Sequence, residues 1–181
     1  MSSHDPFTPL VERTDAKIRY AELQLDHLVK FAGNGSTDVD RAFYESILFH
    51  LLGAKDAFLQ ELNAYYQAGL APNRVAQNSL RLALKSQDKQ SAELREIYQL
   101  ETSDASWLSH AKQMRDSATH ISGVARKFHL GGPNDRKVFL RNPSTGQHVE
   151  LHAPEALAEW VKSMRVLLVR LRQSARLANA L

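Results

Sequence analysis

The chain has no cysteine among its 181 residues, which excludes disulfides and thiolate metal sites and suits a reducing, cytoplasmic setting. It also lacks a long apolar run. Charges interrupt every hydrophobic stretch well before the roughly 18 residues a membrane span requires, so no membrane association is expected. The opening residues Met1-Ser2-Ser3-His4-Asp5-Pro6 have no basic segment leading into an apolar one, and no signal peptide is expected. Internal repeats and low-complexity tracts are absent too. His148 and His152 stand four apart, but no third ligand follows at metal-like spacing, so neither a metal nor another cofactor is expected.

The composition itself is that of an ordinary globular protein, 43% hydrophobic and 24% charged, over a length that suits one domain. The charge is unevenly placed. The overall net charge is +3, yet the stretch from Arg115 to the end holds eleven Lys/Arg against five acids, a net of +6, which leaves −3 on the first 114 residues. A basic C-terminal third favours an anionic partner such as nucleic acid.

Most of the chain reads as helix. Residues 1–9 hold two prolines and small polar residues and are expected as a flexible arm, with one helical domain over 10–181. In 10–32, Ile18, Ala21, Leu25 and Leu28 fall at three- and four-residue steps. Gly33-Asn34-Gly35 should stop that helix, and Thr37 with Asp40 resembles a capping box for the next. That next helix carries Phe43, Ile47, Leu51, Ala54, Phe58, Leu62 and Tyr65 on one face and ends near Gly69. His50 lies in its most apolar stretch and reads as a hydrogen-bonded core or rim histidine. Shorter helices follow at 74–86 and 93–100, the second capped by Ser91 after a turn at 87–90.

A longer helix is expected over 104–125, started by Thr102 or Ser103. Gly131-Gly132-Pro133-Asn134-Asp135 then forbids helix. Segments 137–141 and 147–151 flank a five-residue loop and read as a β-hairpin. Pro154 opens a last helix to about 179, with Leu157, Trp160, Val161, Met164, Leu168 and Leu171 on its core face. The expected architecture is an all-α, up-and-down bundle of four long helices, with short extra helices and a small β-hairpin insertion near 137–151.

The segment Arg115-Asp116-Ser117-Ala118-Thr119-His120 points most directly at chemistry. An arginine supplies a planar, permanent cation for phosphate, and a histidine moves protons near neutral pH. Asp116 and His120 are four apart and so share a helix face, where a carboxylate would orient the ring. Arg115 and His120 are five apart, about 140° of rotation on a straight helix, and converge only at a ligand on the helix edge or through a distortion.

An Arg followed by an acid, with a His five positions on, set late in an all-α bundle, resembles the HEPN superfamily. The Trp107-Leu108 pair and the glycine-rich turn after the motif helix are similar to some of its members. Residues 21–66 are separately similar to an uncharacterised family of small bacterial helical proteins of unknown function. The HEPN resemblance implies a homodimer in which two motifs face each other. It also implies metal-independent ribonuclease activity, or RNA binding without cleavage. Arg115 and His120 would then be the catalytic pair, with Asp116 orienting the histidine. The basic residues Arg126, Lys127, Lys162, Arg165, Arg172 and Arg176 would track the RNA backbone. The competing expectation is a non-enzymatic helical interaction or adaptor protein with an operon-encoded partner. No residue pattern marks a small-molecule pocket.

Overall fold

The computed structural model describes residues 7–31, 38–120, 123–128, 132–133 and 137–178. Among them are six α-helices and one small antiparallel sheet, so the fold is all-α with a β insertion. The helices are α1 (Thr8–Phe31), α2 (Asp38–Tyr65), α3 (Gln77–Ser86), α4 (Ala92–Thr102), α5 (Trp107–His120) and α6 (Ala153–Ala178). The expected stop at Gly33-Asn34-Gly35 and the capping role of Thr37 lie outside the described residues.

α1 and α2 form the most extensively packed pair, and α6 lies against both. Asp15 pairs with Arg172, and Glu22 pairs with Arg165. The partner numbers fall along α6 as those along α1 rise, so these two helices run antiparallel. Ile47, Leu48, Leu51, Leu52 and Phe58 of α2 are fully buried beside Leu157, Met164 and Leu168 of α6. α2 is therefore the central helix, as its apolar stretch suggested. Trp160 is buried, as expected of the core face of the last helix, and Trp107 packs on the same core.

Local chemistry places most boundaries. α1 starts at Thr8, two residues before the expected helix, with Phe7 stacked on Tyr65 at 4.6 Å. Pro9 fits because the first turn of a helix needs no N–H there. At the end of α2, Gln67 takes a left-handed conformation while Ala68 N–H bonds to Asn63 O at 2.9 Å. Asp88 does the same after α3, with Lys89 N–H bonded to Leu84 O. The Ser91 hydroxyl accepts from Leu94 N–H and caps α4. The expected 74–86 helix is divided: Pro72–Arg74 forms a 3-10 turn, and α3 begins at Gln77 after extended Ala76.

The largest differences concern α5 and the strands after it. α5 begins at Trp107, with Ser106 rather than Thr102 or Ser103 as its cap, because α4 continues to Thr102. It ends at His120, not near 125. Gly123 has φ +81°, which no helix accepts, and β1 (Arg126–Phe128) comes next. β1 pairs with β2 (Val138–Arg141), which pairs with β3 (His148–His152), all antiparallel. The expected hairpin is there, enlarged to three strands. Its loop is built on Asn142, whose side-chain oxygen accepts from the N–H groups of Ser144 and Thr145. β3 runs directly into α6, with Pro154 in the first turn.

Candidate functional site

Arg115 and His120 both lie on α5, one near its middle and one as its last residue. Arg115 is partly buried, and its Nε sits 2.8 Å from Asp116 Oδ1 without the alignment of a hydrogen bond. His120 is exposed at the helix end. Thr119 Oγ1 donates to Arg115 O at 2.8 Å, and buried Ser117 reaches Gly123 O at 3.4 Å. α5 is continuous from Trp107 to His120, so the rotation of about 140° between the two side chains stands. Asp116, expected to orient His120, has its Oδ1 beside the Arg115 guanidinium.

The six basic residues expected to follow RNA do not form one free cationic face. Arg172 is the most withdrawn, at 12% side-chain exposure, and binds Glu61 through two N–H···O bonds of 2.9 Å as well as Asp15 at 2.8 Å. It joins α6 to α2 and α1. Arg165 forks onto Glu22 at 2.6–3.1 Å, and Lys162 lies 3.9 Å from Glu159. The neighbouring Arg170 forks onto Glu96 of α4. Arg176 is exposed near the start of α1, beside Phe7, Glu12 and Tyr65. Lys127 is exposed on β1, and Arg126 beside it is half-buried.

Arg126 belongs to a cluster that motif spacing did not reveal. It shares a field with Asp38, Asp40, Arg41 and Tyr44 at the start of α2. Asp40 is fully buried, and the Tyr44 hydroxyl is pushed up to about 12 by its burial and then by the Asp40 charge. The visible signal was an acid in step with Phe43 and Ile47 on a core face.

Two further buried polar clusters also escape a reading by motif. Lys55 Nζ donates to Glu101 Oε1 at 2.7 Å and contacts Asp56 at 3.1 Å, with Lys112 3.7 Å from Glu101. Glu93 accepts from Tyr66 and Ser91, each at 2.6 Å. Burial alone would raise the Glu93 pKa. Hydrogen bonds from Ser174, Ser91 and Tyr66 outweigh it and hold the carboxyl below its usual 4.5. A carboxyl with a depressed folded-state pKa adds stability that is present above its unfolded value and is lost as pH falls through the folded one. Urea midpoints of wild type and Glu93→Gln should therefore converge as pH drops below 4.5. A constant gap across that range would contradict the assignment.

His50 is half-buried, edge-on to Tyr20 and Phe49 at 5.4 and 5.5 Å, in keeping with a rim histidine. Its Nδ1 has no hydrogen-bond partner among the described residues. Burial, then the nearby Lys17 charge, lowers its pKa below 6.5. No cluster of His, Asp and Glu among the described residues is arranged to hold a metal ion. No helix among them is long and apolar enough to cross a membrane.

The motif thus offers an exposed histidine and an arginine already beside a carboxylate, over an interior rich in ion pairs. A profile of the family of unknown function DUF6586 matches residues 9–177. The chain belongs to the DUF6586 family. The match extends the resemblance of residues 21–66 to nearly the whole sequence, and it is not a match to HEPN. Neither the curated proteins nor the solved structures include a match to this DUF6586 member.

Proposed function

We propose that this protein is a non-enzymatic helical interaction protein that binds a partner protein through the outer face of the α1–α2 hairpin. The observation that carries this reading is an exposed aromatic patch. Tyr20 and Leu23 on α1 are 47% and 54% exposed, and Phe49 on α2 is 58% exposed. His50 contacts both rings, and the Lys17 ammonium lies 5.1 Å from the Phe49 ring centre. Tyr20 and Leu23 are one turn apart on the same helix face. Exposed apolar groups gathered on adjoining helices mark contact sites, and aromatic anchors dominate binding energy there. The pairing of Arg165, Arg170 and Arg172 with carboxylates argues in the same direction, because a phosphate backbone would have to displace those partners.

Affinity capture with the intact chain and with Phe49→Asp tests this. A defined protein retained by the wild type should be lost with Phe49→Asp, while the circular dichroism melts of the two coincide. A partner held equally by both would defeat the assignment of the face, and self-association of the chain alone would make the partner a second copy.

A ribonuclease remains the second reading, favoured by the exposure of His120 at a helix end within one and a half turns of Arg115. Mixed RNA incubated in EDTA with wild type and His120→Ala should stay intact in both. EDTA-resistant cleavage lost in His120→Ala would establish the nuclease and replace the first reading.

A further inference from the structure

We propose that the cleft between α3 and α4 binds a small amphiphilic anion, an apolar chain or ring carrying a carboxylate or phosphate headgroup. The cleft has a volume of about 720 Å³, within the roughly 300–1,000 Å³ of small-molecule sites. Its origin is in the packing. Leu80 and Leu84 bury α3 in the core, and among the described residues α3 meets α2 more than it meets α4, so a gap opens towards α4. Leu84 and Leu94 form the apolar floor, and Tyr98 stands exposed at the edge.

Arg81, Lys85, Lys89 and Arg95 line the same cleft, and among the described residues no carboxylate does. This sets the cleft apart from α6, where Arg165, Arg170 and Arg172 each fork onto a carboxylate. Here the guanidiniums hold only neutral oxygens. Arg81 donates to Asn78 Oδ1 at 2.8 Å, Arg95 to Gln90 Oε1 at 3.1 Å, and Lys89 to the Tyr66 carbonyl at 2.7 Å.

A charged headgroup displaces an amide oxygen readily, since a charge-assisted bond is roughly twice as strong as a neutral one. Two buried acids that touch lining residues are already engaged. Glu101 is held by Lys55, and the Gln77 amide, oriented by its partners, turns its N–H to Glu101 at 2.6 Å. Glu93 accepts from Ser91 and Tyr66. An apolar floor under a fourfold cationic rim fits a ligand with one apolar and one anionic end. Size and the enclosing floor favour a small molecule over a nucleic-acid strand.

Calorimetric titration with decanoate, decyl phosphate, decanol and inorganic phosphate tests the site on the full chain. Either decyl anion should bind. Decanol, which lacks the charge, and inorganic phosphate, which lacks the buried chain, should each bind at least about tenfold more weakly. Both anions should bind Arg81→Gln/Arg95→Gln roughly a hundredfold more weakly, since each lost charged hydrogen bond is worth about a factor of ten. The better of the two anions identifies the headgroup. Hydrogen exchange on the wild type locates the ligand without relying on a variant, and protection should appear in 77–98. Equal binding of decanol, equal binding of inorganic phosphate, undiminished binding by the double variant, or protection elsewhere would each overturn the proposal, as would no binding by either anion.

Discussion

Replacing Arg172 with methionine is expected to cost about 3–5 kcal/mol of folding stability, the range for breaking a buried ion pair by removing one partner. Glu61 is fully buried, and its carboxylate oxygens both accept from Arg172. Without that guanidinium the charge has no compensation in a low-dielectric interior. The loss also uncouples three helices at once, since Arg172 on α6 meets Glu61 on α2 and Asp15 on α1. Such a loss is a large share of the roughly 5–15 kcal/mol that holds a typical domain folded. The melting temperature should fall by roughly 10 °C for a chain of this size.

Arg172→Met/Glu61→Leu separates the two causes. A buried ion pair exchanged for apolar groups of similar volume is often neutral, so the double variant should recover most of the lost stability. Guanidinium unfolding of all three proteins gives the answer. A loss under about 1 kcal/mol for Arg172→Met would mean that Glu61 finds water or another partner in the folded chain.

Lys55→Met is expected to cost about 3 kcal/mol, the low end of the same range. Lys55 and Glu101 have side chains only 9% and 4% exposed, and their 2.7 Å contact ties α2 to α4. The cost stays at the low end because Lys112 and Gln77 remain beside Glu101. Burial is the largest influence on the Lys55 pKa and would lower it. The Asp56 and Glu101 carboxylates outweigh burial, and the pKa ends above its usual 10.5. A lysine with a raised folded-state pKa contributes stability that is fully present below the unfolded value and lost as pH rises through the folded one. The gap between wild type and Lys55→Met should therefore hold across neutral pH and narrow only above 10.5. Arg170→Ala serves as the control. Its pair with Glu96 is solvent-exposed, and exposed pairs contribute about 0–1 kcal/mol. If Arg170→Ala matched Lys55→Met, burial would not be what gives the Lys55–Glu101 pair its weight.

These two ion pairs also show where sequence reading stops. Glu61 follows Phe58 and precedes Leu62 on a face that periodicity assigns to the core, so an acid there announces a buried partner. Nothing local says that the partner is 111 residues away. Arg172 looked like one cation in a basic stripe because charge can be counted from sequence and pairing cannot. The motif at the end of α5 behaves similarly. Its residue types and spacing were legible, and so was the rotation that keeps Arg115 and His120 apart. The preference of Arg115 for Asp116 depends on side-chain placement. The cations of the α3–α4 cleft were also visible individually, but their common cavity exists only because α3 leans on α2 and leaves α4 uncovered.

By itself the sequence determined the helices, the Ser91 cap, the turn at Asp88 and the hairpin loop on Asn142. Each rests on interactions within a few residues, which periodicity and turn chemistry encode. Tertiary structure decided the rest. A three-residue strand such as β1 has no pattern of its own and forms because β2 offers it a ladder. The cleft likewise comes from packing. So does the division of basic residues into those that hold the fold together and those that face solvent. A charge takes its role from whichever opposite charge the fold brings within about 4 Å, and that distance is set by helices packed far apart in sequence.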